Sequence, residues 1–275
     1  MYSSQLKKLD INIPDLSEQQ KIADCLSSLD ELITAQSQKL DTLKDHKKGL
    51  MQQLFPAQGE TVPKLRFPEF RDKGEWKPKK LGKLIDIKGR IGYRGYTVND
   101  IVKEGEGAIS LSPSNIDDGH LIFDKSTYIS WEKYEESPEI MLEKGFTVLV
   151  KTGSSYGKTA LVKSLPVKTT INPQVVVLKP LCIDSSFLFL TISNHSIQKQ
   201  IREHAVGGAI PTLSQNNISN FDILIPNIEE QQKIADCLSS LDELITAQSQ
   251  KLDTHKAHKK GLTQQLFPSI DEVNG

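Results

Sequence analysis

Nine residues from Lys151 to Thr159, KTGSSYGKT, have the composition of a phosphate-gripping loop, where glycines let backbone N–H groups close on an anion and a lysine neutralises it. The spacing departs from that chemistry. Gly153 and Gly157 stand four apart where GxxxxGK[ST] sets its glycines five apart, and the residues that follow alternate as a strand. A tight turn between two strands, presenting Ser154, Ser155, Tyr156 and Lys158 outward, fits better. A second stretch, KGRIGYRGY from Lys88 to Tyr96, interleaves Arg90, Tyr93, Arg94 and Tyr96 with glycines. Guanidinium groups suit guanine edges, and lysines and backbone N–H groups suit phosphates, so an Arg/Tyr/Gly loop is material for nucleic-acid contact. Either loop alone is also what an ordinary surface turn looks like; their agreement, with Lys151 and Lys158 in the first, favours contact. The amides of Gln174, Gln215, Asn216 and Asn217 match adenine, although Gln174 is placed to end a strand and the others to form a structural turn.

Other chemistries find less support. INPQVVV, around Asn172, resembles the NPPF-type motif of amino-methyltransferases but lacks its second proline and its base-gripping aromatic, and no glycine-rich cofactor loop accompanies it. No paired carboxylates with a downstream lysine suggest a nuclease. The six histidines have no metal-ligand spacing, and Cys25, Cys182 and Cys237 form neither a disulfide framework nor a CxxC pair. The chain is read as non-catalytic and without a metal.

The elements that must position these loops come next. Short strands are predicted at Leu84 to Lys88, Ala108 to Leu111, Leu121 to Phe123, Thr147 to Val150, Thr159 to Lys163 and Gln174 to Lys179. One helix is predicted from Ser186 to His204, and a last strand from Phe221 to Ile225. The preceding stretch, AQGETVPKLRFPEFRDKGEWKPKKLG, reads as a linker. The result is a mainly β globule of α+β class. Charge is segregated along it: Ala57 to Arg94 has 11 Lys and Arg against 5 Asp and Glu, Gly95 to Glu143 has 3 against 11, and Lys144 to Lys179 has 6 against 0. A basic face for a polyanion is consistent with this, as is an unremarkable charged surface.

On either side of the globule the same segment occurs twice. Residues 18–56 recur as 230–268, a shift of 212, and differ only at Leu43 against His255, Asp45 against Ala257 and Met51 against Thr263. Asp15 with Glu18, and Asn227 with Glu230, have capping-box spacing, and Pro56 and Pro268 end each copy. Each copy therefore forms a helix of about 60 Å at 1.5 Å per residue. Ile22, Leu26, Leu29, Ile33, Leu40, Leu50 and Leu54 follow a four-three spacing with Gln36, Leu43 and Lys47. Ile234, Leu238, Leu241, Ile245, Leu252, Leu262 and Leu266 do the same with Gln248, His255 and Lys259. This is a coiled-coil seam. His255 is read as a polar seam residue reaching solvent. A compact globule between the copies allows either direction; close termini would make the two helices antiparallel and leave Cys25 and Cys237 at opposite ends.

A chain of 275 residues with a net charge of −1 holds one large domain or two. It has no run of 18 apolar residues, and MYSSQLKKLD has no signal-peptide core, so the expected location is the cytoplasm and no membrane partner is expected.

GAIPTLSQNNISNFDILIPNIEEQQKIADCLSSLDELI, followed by KLDTHKAHKKGLTQQLFP, resembles the end of a target-recognition domain and the conserved helix of a specificity subunit of type I restriction-modification systems. VPKLRFPEF and GEWKPKKLG resemble the opening of such a domain, and the likeness covers essentially the whole chain. It implies an α+β fold: a mainly β target-recognition domain (57–225) between conserved helix 1 (15–56) and conserved helix 2 (226–268), which form an antiparallel coiled coil, with a tail at 269–275. It further implies partners: double-stranded DNA, methyltransferase (modification) subunits docked on the helices, and restriction subunits in the full complex. S-adenosylmethionine, ATP and Mg chemistry would then belong to those partner subunits, with no cofactor in this chain. The residues expected at DNA are Lys88, Arg90, Tyr93, Arg94, Tyr96, Lys151, Ser154, Ser155, Tyr156 and Lys158.

The full family pattern alternates two recognition domains with two helices, and this sequence departs from it. YSSQLKKLDINIP, Tyr2 to Pro14, aligns with Ser214 to Pro226 at the same shift, so residues 1–14 read as the remnant of a preceding recognition domain. One domain reads one half of a split target. A homodimer, one half of a split pair and a nearly silent remnant all stay open. The rival classes are a coiled-coil protein adaptor without DNA readout and a small nucleotide hydrolase built on Gly153 to Thr159.

Overall fold

The structure is a computed structural model and describes residues 13–92, 95–204 and 212–267. In chain order its elements are α1 (Leu16–Leu54), β1 (Lys77–Lys80), β2 (Ile85–Gly89), β3 (Ile101–Val102), β4 (Ala108–Leu111), β5 (Ile116–Asp117), β6 (His120–Leu121), β7 (Thr127–Ile129), α2 (Trp131–Glu135) and β8 (Thr147–Val150). There follow β9 (Thr159–Leu161), β10 (Thr169–Ile171), β11 (Val175–Pro180), α3 (Ser185–Ser193), α4 (His195–Glu203), α5 (Gln215–Ser219), β12 (Asp222–Ile225) and α6 (Ile228–Leu266). Two compact units divide the chain: the described residues up to Lys48 and from Ser240 onward, and Gly49–Ser239. The expected remnant 1–14 falls almost wholly outside the described residues, and the tail 269–275 falls wholly outside them.

The first unit holds α1 up to Lys48 and α6 from Ser240, and α1 starts on the residue chosen for its cap. The Asp15 carboxylate accepts from Glu18 N at 2.8 Å. Along α1 from Ile22 and along α6 from Leu241, positions spaced four and three apart are half-buried or buried, and most residues between them are exposed. Among the described residues, cross-helix polar contacts join the copies. Lys47 Nζ meets Asp242 at 2.5 Å, Lys259 Nζ meets Asp30, and Gln248 Nε2 donates to Gln36 Oε1 at 2.7 Å. Contrary to expectation, His255 does not reach solvent through its outer nitrogen: Nε2 is buried with no hydrogen-bond partner among the described residues.

In the second unit, β2-β11-β8-β9 form an antiparallel sheet and β10-β4-β7-β3 a mixed one, in which β10 and β4 run parallel. Alternate residues of β8 and β11, Val148 and Val150 with Val175 and Val177, enter one core with Leu111, Ile116, Ile140 and Ile171. The intervening Leu149, Val176 and Leu178 are also buried, so both faces of these strands are covered, and α3 packs on β8 and β9. This is why these strands read as continuous apolar runs rather than as alternations.

The stretch read as a linker is instead built into the globule. Pro63, Arg66, Phe70, Trp76 and Leu81 are buried, and KPKK forms β1, pairing with β12 from Lys77↔Ile225 to Lys80↔Asp222. Trp76 makes edge contacts with Phe55 and Phe187, which stack at 5.3 Å between ring centroids. Glu230, 1% exposed, does not complete the expected capping box. Asn227 caps its N–H at 2.9 Å, but its carboxylate takes a bidentate bond from Arg66 at 2.7 and 2.8 Å and a third from Trp76 Nε1 at 3.3 Å. The predicted helix 186–204 is two helices. Asn194 is extended between them and accepts from Ser196 N at 3.0 Å, because a short amide side chain caps a helix better than it continues one.

Candidate nucleic-acid interface

The strand register determines which loops meet. Val175 pairs with Val150, Val176 with Gly89, and Thr159 with Leu149, so β2 and β8 end where β9 and β11 begin. The connections after β2, between β8 and β9, before β11 and before α5 therefore gather at one end of a single sheet. Backbone bonds tie them together: Lys151 N donates to Gln174 O and Leu213 N to Lys151 O, both at 2.8 Å. The sequence brought the first two of these loops forward. The proximity of the other two comes from pairing alone.

The β8–β9 connection is a strand-to-strand turn and not a phosphate loop. Gly157 N donates to Val150 O at 3.0 Å and Tyr156 N to Gly153 O at 3.1 Å. Gly153 and Gly157 have φ of +100° and +86°, a region that L side chains rarely adopt. Ser154 is exposed and Ser155 half-buried. Tyr156 is turned inward, donating to Ile201 O on α4 at 3.0 Å, and burial raises its pKa. Lys158 extends from the turn but lies 3.8 Å from the Asp117 carboxylate. Lys151 is the electrostatic exception. Its half-buried ammonium has no hydrogen-bond or ion-pair partner among the described residues, and burial alone lowers its pKa. A cation left without an acid partner suits an incoming phosphate.

The loop after β2 differs from expectation at its first arginine. Arg90 is 5% exposed rather than displayed: Nε donates to Ile171 O at 3.0 Å and Nη2 to Thr170 Oγ1 at 3.2 Å, tying β2 to β10. Desolvation pushes its pKa down. Its guanidinium also lies over Tyr96, 5.6 Å from the ring centroid. The pair supports the loop and does not extend from it. Lys88 lies 3.1 Å from Asp86. Tyr93 and Arg94 lie outside the described residues.

The four amides separate. With its amide oriented to satisfy both atoms, Gln215 donates to Ile87 O at 3.3 Å and accepts from Gly89 N at 3.2 Å, capping the free edge of β2. Asn217 Oδ1 accepts from Ser214 N and Asn216 Oδ1 from Asn220 Nδ2, as a structural turn requires. Gln174 does not end a strand; it is exposed in the turn before β11. The signal for that was the Asn172-Pro173 pair just ahead of it, a turn initiator. Among the described residues no three His, Cys, Asp or Glu side chains gather as metal ligands, and no helix is long and apolar enough to cross a membrane.

Comparison with known proteins adds an independent line. The family described as "Type I restriction modification DNA specificity domain" matches residues 1–45 and 73–254. The type I restriction enzyme MjaVIII specificity subunit of Methanocaldococcus jannaschii is 24% identical over 277 residues, 98% of this chain and 64% of that protein. A putative type I restriction enzyme MjaX specificity subunit of the same organism is 28% identical over 94% of this chain and 58% of its own length. This chain thus spans less than two thirds of these curated relatives. Among solved structures it is similar to the type I restriction-modification S subunit from M. genitalium, with a TM-score of 0.62 at 17% identity over 98% of this chain and 66% of that one. It is also similar to the HsdS subunit from Thermoanaerobacter tengcongensis, with a TM-score of 0.56 at 16% identity over 94% and 60%. At these identities the two structures speak for the fold.

Proposed function

This chain belongs to the type I restriction-modification DNA specificity family, and from that premise we propose that it is a DNA sequence-recognition subunit without catalysis of its own. The globule reads one half of a split target in double-stranded DNA, and the two long helices dock methyltransferase subunits. The observation that carries the first part is the sheet end where the turn holding Lys151, Ser154 and Ser155 meets the turn holding Gln174, with a Lys151 ammonium that has no acid partner among the described residues. Phosphate contacts there position the duplex, and amides and hydroxyls are left to meet base edges.

The pattern of cross-helix contacts supports an antiparallel coiled coil. Lys47 and Lys259 are the same residue of the repeat, as are Asp30 and Asp242, and each lysine meets the other copy's aspartate. Gln36 and Gln248, also equivalent, meet each other. Two like helices running in opposite directions have a twofold axis between them, and equivalent residues meet only at that axis. Such a pair presents the same outer surface twice, suited to two copies of one docking partner. S-adenosylmethionine, ATP and Mg chemistry, and cleavage by restriction subunits, would reside in the partners, and the chain would work in the cytoplasm with DNA.

The test is an adenine methylation map of cells carrying this chain with its modification subunits and no other specificity protein. Methylation confined to a defined motif is the expected result. Methylation unchanged from cells lacking this chain, in spite of an intact complex, would leave a coiled-coil adaptor as the better description.

A further inference from the structure

We propose that Gln174 is the side chain with which this globule reads an adenine edge in the major groove of its target, held ready by Asn172 and given room by Gly153; the inference rests on the DNA-recognition reading above. Gln174 is exposed in the short connection between β10 and β11, yet it is tied at three points. Its N–H donates to Asn172 Oδ1 at 2.9 Å, its carbonyl accepts from Lys151 N at 2.8 Å, and its side-chain Oε1 accepts from Asn172 Nδ2 at 3.3 Å. Asn172 is itself buried, and its N–H donates to Leu111 O at 2.8 Å, so the anchor belongs to the core. The amide of Gln174 lies across Gly153, where an added Cβ would come within 3.2 Å of Nε2.

Adenine presents N7 as an acceptor and its N6 amino group as a donor in the major groove, and a carboxamide answers both at once. Gln174 Nε2 has no hydrogen-bond partner among the described residues, and Oε1 keeps a second lone pair beside the one given to Asn172. Of the neighbouring groups, Gln215 is engaged with β2, Tyr156 with Ile201, Lys88 with Asp86, and Arg90 with Thr170 and Ile171. A side chain with a donor and an acceptor to offer, yet braced by a buried residue, loses little rotamer freedom on binding. That property separates base readout from phosphate attraction.

Selection from a randomised duplex DNA library, by the full chain assembled with its modification subunits, tests this with Gln174→Glu, Gln174→Ala and Gly153→Ala. A carboxylate accepts from cytosine N4 but has no proton for adenine N7, so Gln174→Glu is expected to change one position of the motif from adenine to cytosine. Gln174→Ala is expected to lose roughly 5- to 150-fold discrimination at that same position and to leave the others intact. Gly153→Ala, which keeps Gln174 but crowds its amide and strains the turn at φ +100°, should relax the same position in part. A motif unchanged by both Gln174 variants, or binding weakened equally at every position, would overturn the inference while leaving recognition by the globule in place. A wild-type complex that selects no motif would overturn the recognition reading, and this inference with it.

Discussion

Arg90 and Lys151 look alike in the sequence, two cations in basic loops, and the structure gives them opposite roles. Arg90 supplies donors to Ile171 O and Thr170 Oγ1 inside the globule. Arg90→Ala should therefore destabilise by about 1–3 kcal/mol, because buried acceptors lose their donor; a lower urea midpoint with unchanged slope would register it. Lys151 works in the other direction. Its pKa is lowered by burial, so the unfolded chain holds its proton more tightly and the charge opposes folding. That penalty is complete below the folded pKa and is relieved as pH rises through it towards the ordinary lysine value. Lys151→Met is expected to raise the urea midpoint near neutral pH, with the gain shrinking as lysine titrates. It should also weaken DNA binding across all sequences and reduce the salt slope by about one, read from a binding isotherm series in salt. The basic character of both loops was legible in the sequence. Which cation was buried was not, because the acceptors for Arg90 come from β10, some eighty residues away.

At the scale of elements, the repeat sets identical residues in different surroundings. Phe55 and Phe267 are the same residue of the two copies, yet Phe55 is 6% exposed and stacked on Phe187 while Phe267 is 53% exposed. Phe55→Ala should cost about 3–5 kcal/mol, and Phe267→Ala should stay within about 0.5 kcal/mol, as thermal or urea unfolding of the two variants will measure. Likewise Glu18 is exposed where Glu230 holds Arg66 and Trp76. His255 gives the reverse case, since the first copy has Leu43 at that position. Replacing a buried nitrogen that lacks a partner among the described residues, His255→Leu should stabilise the chain by about 1 kcal/mol in the same assay. The strands were legible where β-branched residues run together, as in β8 and β11. KPKK was not, because β1 owes its existence to β12 and its own side chains are all exposed.

For the molecule as a whole, the proposed docking of modification subunits would make the helices as consequential as the globule. Leu29 is a half-buried position in the spacing shared by both copies. Leu29→Lys places an ammonium there, and the expected outcome is loss of the complex with modification subunits in native mass spectrometry, with the globule's near-ultraviolet dichroism retained. A complex of unchanged mass would move the docking site elsewhere. By itself, the sequence determined the two helices, their caps, the duplicated four-three spacing and the apolar strands of the globule, because these depend on residues within a few positions of one another. Only the tertiary structure decided which copy of an identical residue is buried, which loops share one end of a sheet, and which of several polar side chains is left with a donor and an acceptor to offer. Those outcomes depend on partners distant in sequence, such as Arg66 with Glu230 and Lys151 with Gln174, which no local pattern encodes.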